Sequence, residues 1–319
     1  MNKNIIFYIP SIEGGGVEKN FHLLIKYLPK IIGKIHVITA DKRNNNSKNI
    51  KYICPNSNYW NKKNRILKNI ICIYLLIKNF WSAKAVIFSF QSNITTIIIS
   101  KILGFRVLIR LNTSLKKYLK NFFKKIIFKF FYSLSDIIIV NSKFFQKELN
   151  EVNLKSHLIY NLSVNKKKRK RLNFFKRFNG LKILNIGRLT QQKDQITLIK
   201  SLEILKKKNI NFRCCVIGRG TSRNILINKI KRLNLEKNIK LVGFKNNAEY
   251  YISECDIFVL SSKFEGLPNV LIEAQKYGIP IISSNCPTGP NEILMNGKLG
   301  ELFPVGNYNI LANKLLNFL

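Results

Sequence analysis

The chain has 319 residues, a length that suggests about two domains, each able to bury a core of its own. It is 46% hydrophobic and 11% aromatic, which excludes general disorder. Its net charge of +39 favours a partner with negative charge: a nucleic acid, an anionic lipid or a phosphorylated substrate.

The positive charge is concentrated in the first half of the chain. Between Asp41 and Asp136 there is no acidic residue, whereas 19 Lys and Arg residues occur there. A coding bias toward Lys, Asn and Ile would explain the abundance of lysine, but it does not explain the missing carboxylates. The pattern therefore favours an anionic partner for this half.

The cysteine pattern and the N-terminal sequence predict a cytoplasmic protein. The six cysteines form no CxxC pair and the three histidines have no ligand spacing, so we expect reduced thiols and no metal site. The N-terminus runs directly into the strand-like "NIIFYIP", so no signal peptide is expected. No uncharged apolar run reaches the roughly 20 residues that a membrane-spanning helix needs.

Strands and helices are predicted to alternate along the whole chain. Short runs of β-branched and aromatic residues are separated by longer segments with helical apolar spacing, which is typical of parallel sheets covered by helices. The predicted strands are 5–9, 34–39, 85–90, 106–111 and 136–141, followed by 181–187, 213–218, 239–244, 256–261 and 279–284.

A basic stretch interrupts this alternation near the middle. The prediction is an N-terminal Rossmann-like domain at 1–165, a basic linker at 166–180 and a second Rossmann-like domain at 181–319. The expected fold class is α/β, with the two domains facing each other across a cleft. Because ligands of such sheets bind at the carboxyl ends of the strands, candidate sites are sought there.

The first strand end carries "EGGGVEKN" at 13–20. Its glycines allow a ligand to approach the backbone at the start of a helix. It lacks the GxGxxG pattern, and Asp41 is the nearest carboxylate to a ribose-binding position. A nicotinamide-dependent oxidoreductase is therefore disfavoured.

Two further strand ends carry charged residues. In "NIGRLTQQKDQITLI" (185–199), Arg188 and Lys193 suit a diphosphate, although solvated surface charges would look the same. In "SSKFEGLPNVLIEAQKYGIPIISS" (261–284), Glu265 precedes a short helix and Glu273 lies within it. The N–H groups at the helix start suit an anion or a sugar hydroxyl, and paired ribose hydroxyls would satisfy Glu273, as would a neighbouring loop.

These motifs together resemble the retaining, nucleotide-sugar-dependent glycosyltransferases of family 4, of the bacterial lipopolysaccharide, capsule or lipid-linked oligosaccharide type. "FEGLPNVLIEAQKYGIPII" matches their E-x7-E signature and "GRLTQQKD" their diphosphate-binding segment. "EGGGVEKN", "LVGF", "DIFVLSS" and "CPTGPNEIL" follow in the family's order. The resemblance implies the GT-B fold, with donor binding in the second domain and acceptor binding in the first.

The resemblance also implies roles for individual residues. Arg188 and Lys193 would neutralise the diphosphate, Glu265 would hold the donor sugar and Glu273 the ribose; the first three are the expected catalytic residues. The expected acceptor-side residues are Gly15, Gly16 and Asn112. Many relatives have a histidine at the position of Asn112. The full donor-binding set is Gly187, Arg188, Lys193, Phe244, Glu265, Gly266, Leu267, Pro268, Asn269, Val270 and Glu273.

The resemblance implies a hexose or N-acetylhexosamine donor, UDP-linked, and retention of anomeric configuration by front-face attack without a protein nucleophile. No cofactor and no metal are expected, because the few Asp residues form no D-x-D motif. The pattern "ILANKLLNFL" ends midway through a helix, whereas relatives usually continue, so the C-terminus is expected to be short.

Segment 115–134 bears on the acceptor. Its apolar residues recur at helical spacing and six lysines lie opposite them, which suits a helix in an anionic membrane interface. The apolar positions are 115, 118, 119, 122, 123, 126, 127, 130, 131 and 134, and the lysines are Lys116, Lys117, Lys120, Lys124, Lys125 and Lys129. An ordinary helix packed on its sheet fits equally, and the missing carboxylates favour the membrane. We therefore expect peripheral association with the inner face of the cytoplasmic membrane and a glycan or lipid-linked acceptor.

Two other functions fit parts of the sequence. A GT-B nucleotide-sugar epimerase would share the fold, but the E-x7-E region argues against it. A nucleic-acid-binding protein would explain the charge, yet it would leave Glu265 and Glu273 without a purpose, and no RRM, KH or zinc pattern is present. Nucleic acid is therefore not an expected partner.

Overall fold

The computed structural model describes residues 4–12, 16–43, 47–112, 121–163, 169–246 and 248–319. The chain divides into two compact units, 1–162 and 163–319. Each unit contains a parallel sheet with helices packed on both faces. The predicted α/β class is confirmed.

The first unit contains a sheet of seven parallel strands in the order β3-β2-β1-β4-β5-β6-β7. Its central strands are short and apolar, as parallel strands buried on both faces should be. The strands are β1 (Asn4–Tyr8), β2 (Ile35–Ile38), β3 (Ile50–Ile53), β4 (Ala85–Ser89), β5 (Arg106–Leu111), β6 (Ile137–Val140) and β7 (His157–Leu158).

Helices cover the two faces of this sheet unequally. Ile6 and Tyr8 of β1 belong to the core under the third helix, while Phe7 and Ile9 pack with the first helix on the other face, because successive side chains of a strand alternate. The helices are α1 (Gly16–Tyr27), α2 (Pro29–Ile32), α3 (Arg65–Phe80), α4 (Asn93–Ile102), α5 (Phe122–Ser133) and α6 (Lys143–Asn150). Helices α3 to α6 share one face and α1 covers the opposite one.

The second unit contains a sheet of six parallel strands in the order β10-β9-β8-β11-β12-β13. Its strands are β8 (Leu181–Ile186), β9 (Phe212–Ile217), β10 (Ile239–Gly243), β11 (Ile257–Leu260), β12 (Ile281–Ser284) and β13 (Glu301–Phe303). Its helices are α7 (Gln195–Lys207), α8 (Arg223–Arg232), α9 (Asn269–Lys276), α10 (Pro290–Ile293) and α11 (Tyr308–Asn317). Separate apolar cores fill the two faces of the sheet.

Residues 169–180, within the stretch predicted as a linker, pack onto the second unit. Leu172 and Phe175 are buried in its core. The backbone N–H of Lys170 donates to the carbonyl of Tyr250 (2.8 Å). This part of the basic stretch is therefore ordered by the same core that supports the second sheet.

The predicted helix 115–134 is described from residue 121 onward, and its first part lies outside the described residues. Helix α5 is capped by Asn121, whose Oδ1 accepts from the N–H of Lys124 (3.3 Å). It packs on the sheet through Phe128 and Tyr132, two residues that were not in the predicted apolar set. Among the described helices, none combines the length and apolarity needed to cross a bilayer.

A buried ion pair ties α3 to the loop after β2. The ammonium of Lys68 lies 2.7 Å from Oδ1 of Asp41, and the two side chains are 3% and 7% exposed. The other oxygen of Asp41 accepts from the N–H of Ile12 (2.6 Å), and Lys68 also donates to Oγ of Ser11 (3.0 Å). Asp41 therefore holds the chain where it leaves β1, and it is engaged within the protein rather than presented to a ribose.

We expect Lys68→Met to destabilise the first unit by about 3 kcal/mol, because it removes the cation paired with a buried carboxylate. Lys101→Met is the matched control. It breaks the half-exposed pair with Asp136 (2.9 Å) and should cost less than about 1 kcal/mol. Urea unfolding followed by tryptophan fluorescence measures this, since both tryptophans, Trp60 and Trp81, lie in the first unit. Equal losses in the two variants would contradict the prediction.

Candidate functional site

The carboxyl ends of β8, β9 and β11 bring three loops of the second unit together. The N–H of Gly187, directly after β8, donates to the carbonyl of Ile217 at the end of β9 (3.0 Å). The N–H of Leu189 then donates to the carbonyl of Arg219 (2.9 Å). The loop after β8 is thus fixed along the loop after β9.

Two glycines in the loop after β9 allow this close approach. A Cβ added at Gly218 would lie 1.8 Å from the carbonyl oxygen of Gly187, and one added at Gly220 would lie 2.2 Å from that of Leu189. Both obstructing atoms belong to the backbone, so no side-chain movement could relieve the clash. Neither glycine was predicted, although "VIGRG" after an apolar strand is the kind of pattern that indicates a close backbone approach.

An ion pair joins the loop after β8 to the loop after β11. The ammonium of Lys193 lies 2.5 Å from Oε1 of Glu265, and their side chains are 14% and 7% exposed. The same oxygen accepts from Oγ of Ser262 (2.5 Å). The sequence predicted both charged residues for one site, and the structure brings them into direct contact.

Further hydrogen bonds hold the same two loops in register. The N–H of Lys263 donates to the carbonyl of Gln192 (2.8 Å), and the amide of Gln192 donates to the carbonyl of Phe264 (2.9 Å). Oγ of Ser261 donates to the carbonyl of Lys193 (3.0 Å). The position of Lys193 is therefore determined by backbone contacts as well as by its charge.

Arg188 presents a cation at the surface of this site. Its side chain is exposed, and Nη2 makes a single long bond to Oε1 of Gln192 (3.3 Å). A guanidinium has five N–H donors arranged as a fork, so most of them are directed to solvent or to a bound anion. The arrangement can bind an anion next to Lys193 without displacing a protein partner.

The loop from Glu265 leads into the start of α9. The hydroxyl of Thr288 donates to the carbonyl of Glu265. Gly289, at φ +80°, sits so close that a Cβ there would lie 2.2 Å from the carbonyl of Gly266. Leu267 and Pro268 are buried, which fixes the turn before the helix.

Helix α9 begins at Asn269, and the N–H of Leu271 donates to the carbonyl of Pro268 (3.0 Å). The N–H groups that begin a helix point out from its N-terminus. Val270 packs against the core below the site. Glu273 is half-buried one turn further along the helix. Residues 265–273 thus place a carboxylate, a helix N-terminus and a second carboxylate in succession.

Phe244 follows β10, and its ring is stacked with a cation. The guanidinium of Arg219 lies 4.9 Å from the centre of the Phe244 ring, which is 48% exposed. Because the backbone of Arg219 contacts Leu189, this pair adjoins the loop that carries Arg188. An exposed aromatic ring with a guanidinium stacked on it offers flat surfaces on which a planar ring can stack. Arg219 was not predicted.

Cys286 lies near Glu265 and is not available as a nucleophile. Burial, reinforced by the nearby carboxylate, raises the pKa of Cys286 to about 11. It is therefore a neutral thiol at physiological pH. Within the described residues, no group of three His, Cys, Asp or Glu side chains is arranged to hold a metal ion.

The predicted acceptor-side residues belong to the first unit. Gly15 lies outside the described residues, Gly16 begins α1, and Asn112 follows β5, where its amide donates to the carbonyl of Phe90 (3.4 Å). Nearby Arg110, which was not predicted, is buried and donates to Oδ1 of Asn161 (2.8 Å). Burial lowers the pKa of Arg110 to about 10, so it remains a cation at neutral pH.

Comparison with known proteins places this geometry in context. Residues 164–319 match the family model described as glycosyl transferases group 1. A glycosyltransferase of Methanocaldococcus jannaschii, MJ1059, is 35% identical over 199 residues, 57% of this chain and 48% of that protein. An N-acetylgalactosamine-N,N'-diacetylbacillosaminyl-diphospho-undecaprenol 4-alpha-N-acetylgalactosaminyltransferase of Campylobacter jejuni is 30% identical, over 63% of this chain and 57% of that protein.

The alignments span about half the length of these curated relatives. Among solved structures, Anabaena Alr3699/HepE in complex with UDP-glucose superposes with a TM-score of 0.77 at 17% identity, covering 98% of this chain and 89% of that one. The likeness establishes the fold: the two parallel-sheet units are those of a GT-B protein, as predicted.

We expect Gly218→Ala to loosen the carboxyl ends of β8 and β9, because its methyl group would collide with the carbonyl of Gly187. The loss should be about 2 kcal/mol or more. Gly187→Ala is the control, since its Cβ would meet only the methylenes of Lys193 at 3.5 Å. Hydrogen–deuterium exchange of residues 212–217 measures the difference. Unchanged protection in Gly218→Ala would contradict the proposed packing.

Proposed function

Because residues 164–319 match the family model described as glycosyl transferases group 1, we propose that this chain is a retaining hexosyltransferase of family 4. It moves a hexose or an N-acetylhexosamine from a UDP-sugar to a membrane-associated glycan acceptor. The observation that carries the proposal is the contact of Lys193 with Glu265 beside the exposed guanidinium of Arg188. Cations and a carboxylate in one site match a ligand that presents phosphates and hydroxyls together.

Each part of the donor has a matching group in the second unit. Arg188 and Lys193 bind the diphosphate, Glu265 and the N–H groups at the start of α9 bind the sugar, and Glu273 binds the ribose. Phe244, with Arg219 stacked on it, receives the uracil ring. The UDP-glucose complex of the structural neighbour HepE supports a UDP-linked donor.

The chemistry follows from these charges. Breaking the bond between sugar and phosphate leaves an oxocarbenium-like sugar and a diphosphate that gains negative charge. Arg188, Lys193 and the N-terminus of α9 stabilise that charge as it develops. The leaving phosphate takes the proton of the acceptor hydroxyl on the same face, so the configuration is retained without a protein nucleophile.

The acceptor is assigned to the first unit. Gly15, Gly16 and Asn112 follow strands β1 and β5, where ligands of parallel sheets bind. The diphospho-undecaprenol in the name of the Campylobacter relative supports a lipid-linked acceptor, and the absence of acidic residues from 42 to 135 supports an anionic surface. We place the protein at the inner face of the cytoplasmic membrane, where lipid-linked oligosaccharide, lipopolysaccharide or capsule precursors are built.

The donor site can be tested by titration calorimetry with UDP and with uridine. Arg188→Ala should weaken UDP binding by about 1–3 kcal/mol, the scale of a hydrogen bond to a charged group, and leave uridine binding unchanged. Glu273→Ala should weaken both ligands, because both contain the ribose.

Lys200→Ala, a substitution on α7 outside the site, is a control that should change neither affinity. Equal losses of UDP and uridine in Arg188→Ala would contradict the role of Arg188. Binding of GDP or ADP in preference to UDP would contradict the assignment of the donor.

Turnover should not require a divalent metal, because Arg188 and Lys193 supply the positive charge that a metal would otherwise bring to the phosphates. We expect release of UDP from a UDP-sugar to continue in excess EDTA. Complete inhibition by EDTA, with recovery on addition of Mg²⁺ or Mn²⁺, would overturn this part of the mechanism.

A further inference from the structure

Three neighbouring helices of the first unit carry large apolar side chains on their outward side. We call this surface, the exposed apolar residues of α3, α4 and α5 together with Trp81, the apolar face. Trp81 and Phe123 are 65% and 73% exposed. Its members include Ile70, Tyr74, Trp81, Ile102, Phe123 and Phe130.

The three helices lie side by side on one face of the sheet. The strand register places Ile6 beside Ile87, Ile87 beside Val107 and, further along, Ile109 beside Ile138, so these side chains point to the same side. Helices α3 and α4 pack into one core there, and α4 packs against α5. The outward sides of the three helices therefore form one continuous surface rather than three isolated patches.

Each helix is apolar on both its inward and its outward side. On α3, Cys72 and Leu76 are buried against the sheet while Ile70 and Tyr74 face outward. On α5, Phe128 is buried while Phe123 is exposed. A helix at the surface of a monomer is normally polar on its outward side, so an apolar outward side indicates that something covers it.

The charges around the apolar face indicate what covers it. No Asp or Glu occurs between residues 42 and 135, so none of the three helices contains a carboxylate. Arg65, Lys78, Lys124, Lys125 and Lys129 lie among the apolar residues, and the ammonium of Lys78 is 5.7 Å from the ring centre of Tyr74. The half-exposed Asp136 that pairs with Lys101 lies outside the three helices. Aromatic and aliphatic side chains flanked mainly by cations suit the interface of an anionic bilayer.

We propose that the apolar face inserts into the boundary between headgroups and acyl chains of an anionic phospholipid bilayer. Its lysines and arginines contact the headgroups while Phe123, Phe130 and Trp81 enter the apolar layer. Insertion of the apolar face into a bilayer deepens the proposed function. The inference rests on that function only because a membrane-bound acceptor gives the docking a purpose. It differs from purely electrostatic attachment, because part of the affinity comes from apolar burial, which salt does not screen.

A second copy of the chain is a poorer occupant for this surface. In a two-fold symmetric dimer, the same patch meets itself, so the cations of one copy would lie opposite the cations of the other. Like charges facing each other across an interface oppose association. The apolar face therefore fits an acidic partner surface better than it fits itself.

Insertion can be followed with Trp81 as a probe. The chain has two tryptophans, so Trp60→Phe leaves Trp81 as the single reporter on the apolar face. Vesicles of phosphatidylglycerol and phosphatidylcholine in equal parts should shift its emission to shorter wavelength, and much of the shift should persist in high salt. Vesicle binding without an emission shift would overturn insertion.

Substitutions on two helices test the extent of the surface. The double variants Phe123→Ser with Phe130→Ser, and Ile70→Ser with Tyr74→Ser, should each weaken vesicle partitioning at high salt by about tenfold or more. Ile31→Ser is the matched control: this residue is 81% exposed on α2, which follows α1 on the opposite side of the sheet. The control should partition like the parent.

Unchanged partitioning in both double variants, or an equal loss in the Ile31 variant, would overturn the proposal. So would lipid-free dimers of the parent that dissociate on substitution of Phe123 and Phe130, seen by sedimentation velocity. UDP titration of every variant separates this result from the donor site. Failure of the parent to bind UDP would defeat the proposed function and leave the vesicle result standing.

Discussion

The ion pair between Lys193 and Glu265 is the interaction on which the candidate site depends. The residues are 72 positions apart and come from loops after neighbouring strands, β8 and β11. Both side chains are largely buried, so separating the pair would leave an unneutralised charge away from water. The pair thus holds two loops together while keeping a cation and a carboxylate at the same point.

The rest of the site is arranged around this contact by backbone packing. Gly218 and Gly220 let the loop after β9 lie against the loop after β8, and Gly289 lets the loop after β12 lie against Gly266. Because these contacts are between main-chain atoms, the site is preorganised before any ligand binds. The exposed Arg188 and the stacked pair of Phe244 and Arg219 then extend it on one side, and α9 extends it on the other.

The first unit has its polar groups and its exposed apolar side chains in different places. Its sheet carries polar groups at the strand ends, where Asn112 and the buried Arg110 lie, and an apolar helical surface on one face. Both features suit a molecule with a polar head and an apolar anchor. Under the proposed membrane docking, the basic composition of this half would attract anionic headgroups to the apolar surface.

Sequence patterns predicted the inner strands of both sheets and the edge strand β10, but missed β3, β7 and β13. Each missed strand lies at the edge of its sheet, where side chains are less buried and the apolar signal is weak; β13 even begins with Glu301. The family motifs predicted Arg188, Lys193, Glu265 and Glu273 as site residues. They could not show that Lys193 contacts Glu265, because a contact between distant loops depends on the order of the strands.

Sequence patterns also predicted the helical period of α5 without identifying which side of the helix is buried. Phe128 and Tyr132 face the sheet, while the described residues of the expected apolar side are exposed, except for the partly buried Phe131. Because this helix has aromatic or aliphatic residues on more than one side, its apolar period alone does not identify the inward side. The close backbone approaches at Gly218 and Gly220 could not be predicted from the sequence either, because a glycine does not reveal which backbone segment lies against it.

We propose that Lys193 and Glu265 together receive the diphosphate and the sugar of one donor molecule. A crystal structure of the full chain with UDP-glucose would decide this. We expect the diphosphate within hydrogen-bonding distance of Arg188 and Lys193, a glucose hydroxyl on Glu265 and the uracil ring at Phe244. A diphosphate bound away from residues 188–193, or a sugar that does not contact Glu265, would contradict it.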